Sequence, residues 1–309
     1  MKSRVLVTGA AGFIGKCLAK VLIERGSSVR RCGRNTGLNI DIAVGDIGED
    51  TDWSRALSGV DKVVHLMALA HVGNAADKGL IDEYRRVNVG ACVNLARQAA
   101  EAGVNRFVFL SSIGVNGERN DIPFTEQVSP VPVRPYAVSK LEAEQALREL
   151  AIETGIEVVI IRPPLVYGPD APGNFARLVK LAGLGLPLPL GAVRNRRSFI
   201  ALDNLVDFIA VCLDEDAAAN ETFVVADGED ISTSELLRRM GRLLDRPVIL
   251  IPVPLRILLA LAAFFGRTSE VEQLCSSLTV DISKARQVLG WHPPISLAEG
   301  LHRALKNPA

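Results

Sequence analysis

The stretch that most constrains this chain lies near its beginning. Val5-Leu6-Val7 has strand character and runs directly into Thr8-Gly9-Ala10-Ala11-Gly12-Phe13-Ile14-Gly15, after which apolar residues recur at helical spacing over 16–25. A strand, a glycine-rich turn and a helix in that order make the first half of a βαβ unit. Glycines at 9, 12 and 15 let the backbone turn tightly, approach a pyrophosphate closely and pack the helix on the strand, while the first N–H groups of the helix stabilise phosphate charge. The turn predicts a dinucleotide site at Gly9, Gly12, Phe13, Ile14 and Gly15.

The alternation continues. Further strands are predicted at 28–31, 42–44, 63–66, 107–110 and 158–161, with helices over 16–25, 81–101 and 135–154. Short strands alternating with helices define an α/β fold with a Rossmann-type, doubly wound parallel sheet. After Arg162 the pattern breaks: Pro163, Pro164, Pro169, Pro172, Pro187 and Pro189 interrupt it, with Gly183, Gly185 and Gly191 adding turns. Capping-box spacings at Ser232 with Glu235 and Ser296 with Glu299 then announce helices. The expected division is a dinucleotide-binding domain over 1–165, to which the chain returns near 195–212, and a smaller, mainly helical C-terminal substrate lobe over 166–309.

Composition narrows the partners. With 35 Lys plus Arg against 35 Asp plus Glu there is no net field to attract nucleic acid or an anionic membrane, so any anionic ligand must be held locally. The five cysteines, at 17, 32, 92, 212 and 275, lack the close pairing of zinc or redox motifs. No metal is expected, and reduced thiols fit a cytoplasmic protein. The N-terminal apolar run stops too early for a signal peptide. The longest apolar stretch, Leu255 to Phe265, contains Arg256 and falls short of the roughly 20 residues of a membrane crossing. It predicts a buried or lobe helix, with a surface-seeking helix as the alternative.

The second strand should end in an acidic residue if NAD is preferred, because a carboxylate bonds the ribose hydroxyls. Here it ends Cys32-Gly33-Arg34-Asn35. Gly33 leaves room and Arg34 or Arg31 can pair with a 2′-phosphate, which favours NADP slightly over NAD. Past the third strand, Asp46-Ile47 can bound the adenine, or Asp46 can cap a turn.

Tyr136 and Lys140 stand four apart at the start of a helical run and project from one face. A free phenol ionises near pH 10, and an adjacent ammonium favours the phenolate, which suits proton transfer. Ser111-Ser112 follows the strand at 107–110 directly, placing a hydroxyl at the carboxyl edge of the sheet, where doubly wound folds bind ligands. Ser112 can hydrogen-bond a reacting oxygen and orient it for Tyr136.

The residues at 8–15, His65-Leu66-Met67-Ala68, Asn88, Ser111-Ser112, Tyr136 with Lys140, and Arg162-Pro163-Pro164-Leu165-Val166-Tyr167-Gly168-Pro169 together resemble the extended short-chain dehydrogenase/reductase family, over nearly the whole length and in the same order. The resemblance implies Ser112, Tyr136 and Lys140 as catalytic triad, Lys140 bonding the nicotinamide ribose, and Asn88 supporting the cofactor-side hydrogen bonds. It also implies that the backbone at Leu66, Ala68, Pro163 and Val166 flanks the nicotinamide half of NAD(P).

Asn174-Phe175 and Arg197-Ser198-Phe199-Ile200 with Asp203 resemble family segments that hold the diphosphate of a nucleotide sugar. Arg197 is the expected anchor, since a guanidinium offers paired charged donors, with Arg194 and Arg196 beside it. A second arginine usual in sugar epimerases is missing from 269–281, and the Asp-Glu pair of dehydratases does not follow Ser112. The implied activity is hydride transfer at carbon four of a UDP-hexose or UDP-N-acetylhexosamine, as a 4-epimerase. The alternatives are a 4-keto reductase of polysaccharide biosynthesis and a non-catalytic dinucleotide-binding scaffold. Helices 81–101 and 135–154 can form a homodimer seam, as in relatives.

Overall fold

The computed structural model describes residues 3–70 and 80–306. Nine strands are present among them: β1 (Arg4–Thr8), β2 (Ser28–Gly33), β3 (Ile42–Ala43), β4 (Lys62–His65), β5 (Arg106–Leu110), β6 (Glu157–Arg162), β7 (Leu165–Tyr167), β8 (Phe199–Ala201) and β9 (Thr222–Val224). Seven form one parallel sheet in the order β3-β2-β1-β4-β5-β6-β9, while β7 and β8 pair in a parallel ribbon of their own. The order reverses between β1 and β4, which opens a crevice at the carboxyl ends of those strands.

Adjacent residues of each central strand feed opposite cores. Leu6, Val63, Phe107 and Val158 pack against Leu95 and Leu147 on one face. Val5, Val7, Val64, Val108 and Val159 pack against Leu18, Leu22, Leu205, Phe208 and Ile209 on the other. Both faces are covered, so the strands read as continuous apolar runs and not as alternating ones.

Three features depart from the sequence expectation. The return of the chain to the sheet runs from β8 through the helix Leu202–Asp214 to β9, which completes the sheet beside β6. The first helix starts at Phe13, since Phe13 and Ile14 belong to its opening turn. The helix expected over 81–101 is three pieces: Leu80–Tyr84, a π-helical segment Arg85–Gly90 and Ala91–Glu101. Widened helical turns of this kind are uncommon and often mark functional positions. Here the widened turn contains Asn88.

Both capping boxes are formed in part: the Ser232 hydroxyl accepts from the Glu235 N–H at 3.1 Å and the Ser296 hydroxyl from the Glu299 N–H at 3.3 Å. A third core, built on Phe175, Leu178, Phe199, Leu237 and Met240, holds the lobe. The lobe is tied to the sheet side by buried Asp227, which accepts from the Tyr167 hydroxyl at 2.7 Å, the Ala201 N–H at 2.8 Å and the Asn204 amide at 2.7 Å. Burial raises the Asp227 pKa despite those donors.

Candidate active site

The glycine turn is shaped for close approach. Gly9 has φ +69°, a region that favours glycine. A Cβ on Gly15 would stand 2.2 Å from the Gly9 carbonyl oxygen, so nothing larger than hydrogen fits there without moving backbone. The Ala10 N–H donates to the Cys32 carbonyl at 3.1 Å, which fixes the turn against the end of β2. Gly12 caps the following helix with no side-chain bond, so its first N–H groups are available to a ligand. A cradle of backbone donors at the positive end of a helix fits a dinucleotide pyrophosphate.

Across the crevice, a chain of buried polar contacts links the turn to the helix Pro135–Thr154. The Thr8 hydroxyl lies 2.9 Å from His65 Nδ1 and accepts from the Leu66 N–H at 3.1 Å. Asn88, in the widened turn, accepts from the Leu69 N–H at 2.8 Å, donates to the Leu69 carbonyl at 3.2 Å and donates to the Ser139 hydroxyl at 3.0 Å. The Ser139 hydroxyl donates to the Tyr136 carbonyl at 2.8 Å. Asn88 thereby pins the 66–69 loop, including half-buried Leu66 and Ala68, to the helix that carries Tyr136. His65 is fully buried, and burial followed by the nearby Lys140 charge holds its pKa down at about 3, so it is a neutral structural imidazole.

Lys140 is 2% exposed. Its Nζ donates to the Leu110 carbonyl at 2.9 Å and lies 4.4 Å from the Phe109 ring centroid and 5.9 Å from that of Tyr136. The lysine therefore sits at the carboxyl end of β5, on the same side as the phenol ring. Ser112, half-buried, caps the 3-10 turn Ile113–Val115 by accepting from the Gly114 N–H at 3.1 Å. A Cβ on Gly114 would lie 3.4 Å from the Ala137 Cβ, so this turn packs on the residue next to Tyr136.

One expectation is corrected. Burial, followed by charge repulsion from the neighbouring Tyr84 phenol, pushes the Tyr136 phenol up to about 12, where the spacing to Lys140 predicts a lowered value. Burial also pushes Lys140 down to about 8, against opposing pulls from Cys92 and Glu144. Desolvation disfavours both charged forms and is the largest cause at each residue. The phenol is neutral, which is the form that donates a proton.

The adenosine end departs from expectation at three residues. Arg31 is committed to Asp41 through its Nη2 at 2.7 Å and Nε at 3.1 Å. The space left by Gly33 is filled by Ile40, whose Cδ1 would lie 2.8 Å from an added Cβ. Arg34 and Asp46 pair with each other at 3.0 Å on the surface, and Ile47 is buried beside them. Arg34 is thus the basic group left facing outward.

On the lobe side, Pro163 accepts from the Ile113 N–H at 2.9 Å and Val166 lies in β7, paired with Ile200 of β8. Asn174 opens the helix Asn174–Gly183 and is half-buried. The Arg197 Nη1 donates to the carbonyls of Gln273 at 2.7 Å and Ser276 at 3.1 Å. Arg196 pairs with Asp230 at the surface and Arg194 is exposed, so of the three Arg197 is the one set inward. Asp203 is held by Arg303 at 3.0 Å and makes no bond to Arg197.

A further network supports the site and was not anticipated. Glu144, fully buried, accepts from Arg162 Nη2 at 2.5 Å and Nε at 2.9 Å, from the Ser111 hydroxyl at 2.6 Å and from Arg148 at 3.1 Å. Arg162 also donates to Asn116 at 3.0 Å. The signal was present: Tyr136, Lys140, Glu144 and Arg148 form a polar stripe at four-residue spacing on one helical face. A buried carboxylate with four donors holds the end of β6 against the Ser111-Ser112 turn. Removing one partner of such a pair typically costs about 3–5 kcal/mol.

A fold with this topology and a glycine-turn crevice facing a Tyr/Lys helix defines a class, and comparison with known proteins specifies it. The family model described as NAD dependent epimerase/dehydratase matches residues 5–226, and the chain belongs to that family. It is 41% identical to a UDP-glucose 4-epimerase of Vibrio cholerae, over 97% of this chain and 94% of that protein. It is 28% identical to an N-acetyl-alpha-D-glucosaminyl-diphospho-ditrans,octacis-undecaprenol 4-epimerase of Escherichia coli O157:H7, over 99% and 95% of the two chains. Among solved structures it superposes on MoeE5 in complex with UDP-glucuronic acid and NAD with a TM-score of 0.79 at 26% identity, covering 98% of each chain.

Proposed function

We propose that the protein interconverts epimers at carbon four of a UDP-hexose or UDP-N-acetylhexosamine, with Ser112, Tyr136 and Lys140 at the reacting centre. The observation that carries this reading is the position of Lys140, bonded to the Leu110 carbonyl at the carboxyl end of β5 and beside the Tyr136 ring, across the crevice from the glycine turn. Similarity to 4-epimerases supports the choice of carbon and carrier. Bound on the turn at Gly9, Gly12, Phe13, Ile14 and Gly15, a nicotinamide dinucleotide would supply a hydride acceptor and donor.

The chain's own residues manage the proton and the pose. Tyr136 acts first as a phenolate, taking the proton of the carbon-four alcohol as it is oxidised, and returns that proton to the keto oxygen on reduction. Burial favours the neutral phenol, so forming the phenolate is the step that the Lys140 charge assists. The Ser112 hydroxyl bonds the same oxygen and holds it in reach. Lys140 keeps a positive charge beside the phenol below about pH 8, which stabilises the phenolate while the proton is away. Leu66, Ala68, Pro163 and Val166 line the nicotinamide half, while Asp46 and Ile47 border the adenine. Arg197 and Asn174 hold the substrate diphosphate, so the sugar can turn over while its carrier stays fixed.

The division of labour we infer gives residues 1–165 with 199–226 to the cofactor and the remainder to the substrate. NADP is accepted through Arg34, whose ion-pair partner among the described residues is the exposed Asp46. The helical stretches 81–101 and 135–154 form the seam of a cytoplasmic homodimer. The test is a nucleotide-sugar panel scored by product NMR with and without added NAD(P)H. Epimer formation without net cofactor consumption is expected; turnover only with stoichiometric NAD(P)H oxidation would replace this reading with a 4-keto reductase.

A further inference from the structure

The segment 249–265 has a surface that the proposed reaction does not use. Its helix, Leu255–Phe264, reads Leu-Arg-Ile-Leu-Leu-Ala-Leu-Ala-Ala-Phe and is apolar nearly all round, yet only Leu258 and Ala262 are buried. A helix of that composition is normally buried in a core or in lipid. Phe264 is 84% exposed and Phe265 70%, with Leu261 half exposed. Ile249 and Ile251 extend the surface, because the Leu188 and Gly191 N–H groups bond their carbonyls at 2.8 and 2.9 Å and bring exposed Leu186 alongside. Of the seventeen large apolar side chains exposed among the described residues, nine lie at 184–186 and 249–265. A patch so concentrated marks an interaction surface.

Charge decides the occupant. Between Asp245 and Glu270 the chain carries Arg246, Arg256 and Arg267 and no carboxylate. Arg256 and Arg267 are exposed beside the apolar residues. In a two-fold contact with a second copy the same patch would face itself and bring like charges together. An anionic bilayer offers what both features require: an apolar layer for Phe264, Phe265 and Leu261, and phosphate groups for the arginines. We propose that this helix lies in the plane of an anionic membrane surface and docks the substrate lobe there. No helix among the described residues is long and apolar enough to cross a membrane, so the attachment is peripheral.

The placement connects with the site. The helix Leu255–Phe264 leads through Gly266 into Thr268–Cys275, and the carbonyls of Gln273 and Ser276 at the far end of that second helix accept from Arg197. Docking would therefore set the Arg197 side of the lobe close to the lipid headgroups. The inference stands independently of which sugar is turned over.

The experiment is co-sedimentation of the whole protein with vesicles of phosphatidylcholine, with and without about one third phosphatidylglycerol, at low and high salt. Binding to the anionic vesicles is expected, weakened by salt. Phe264→Ser with Phe265→Ser should lower partitioning at least about tenfold, and Arg256→Gln or Arg267→Gln about fivefold each. Turnover of a water-soluble nucleotide sugar should be unchanged in all three variants, which separates this idea from the proposed reaction. No binding to anionic vesicles, or binding indifferent to the paired Phe substitution, would overturn it. So would a paired variant that converts a dimer to a monomer in light scattering while vesicle binding stays the same, since the face would then be a contact between copies.

Discussion

Tyr136 and Lys140 share one turn of one helix, and the strand end that receives the lysine is thirty residues away at Leu110. Arg197, by contrast, draws its partners from Ile231, Gln273, Ser276 and Leu278, four positions in two separate segments of the lobe. The sheet edge places its groups with short, regular elements, and the lobe places its groups with loops that bond backbone to backbone. The proposed chemistry, which tolerates little displacement, would stand on the stiffer half. The proposed recognition would stand on the half whose loops can vary without disturbing the reacting atoms.

That contrast predicts a separation between kcat and KM. Tyr136→Phe removes the proton carrier without changing shape, and turnover should fall by about 10²–10⁴-fold with dinucleotide affinity retained, measured by steady-state kinetics and fluorescence titration. An intact rate would move the reacting centre elsewhere. Arg197→Met should raise KM for the nucleotide sugar by about 10- to 100-fold while kcat changes little, as expected for loss of charged hydrogen bonds in uniform binding. A large fall in kcat would show that the lobe also positions the sugar.

Two smaller effects refine the picture. Burial lowers the Lys140 pKa to about 8 from 10.5, so its charge is lost as pH rises through about 8, and kcat should decline about tenfold per unit above that point. The stability effect has the opposite sign. With the folded value below the unfolded one, the penalty is fully present below pH 8 and is relieved as pH rises from about 8 to 10.5. Lys140→Met should abolish both trends in pH-rate and thermal-melt series. The smallest effect is expected at the exposed end: Arg34→Ala should weaken NADP binding about fivefold and leave NAD unchanged, read by competitive titration. Equal losses for both would assign Arg34 to the surface pair with Asp46 alone.

The same division explains what could be read from the sequence. The first six sheet strands and the glycine turn carry local signals, apolar runs and turn residues within a few positions of each other, and the structure shows strands at all six places. Strands β7, β8 and β9 are three residues each and lie past Arg162, where prolines and glycines interrupt the alternation that located even the two-residue β3. The Glu144–Arg162 pair joins residues 18 apart across a helix and a strand, a relation that no local window contains. Ionisation was misjudged because spacing reports which groups are neighbours but not how much water reaches them. Burial is the largest cause that separates Tyr136 and Lys140 from their ordinary values.

The late position of β9 in the chain has a consequence for biosynthesis. Sixty residues separate the end of β6 at Arg162 from Thr222, and the backbone groups of Ile160-Ile161-Arg162 that pair with β9 have no partner until that segment leaves the ribosome. At about 5–20 residues per second, an apolar strand edge waits roughly 3–12 s with its hydrogen bonds unmade. During that interval the nascent chain is exposed to strand pairing with its neighbours. Chaperone demand should therefore follow the length and composition of the lobe insert more closely than the stability of the finished enzyme.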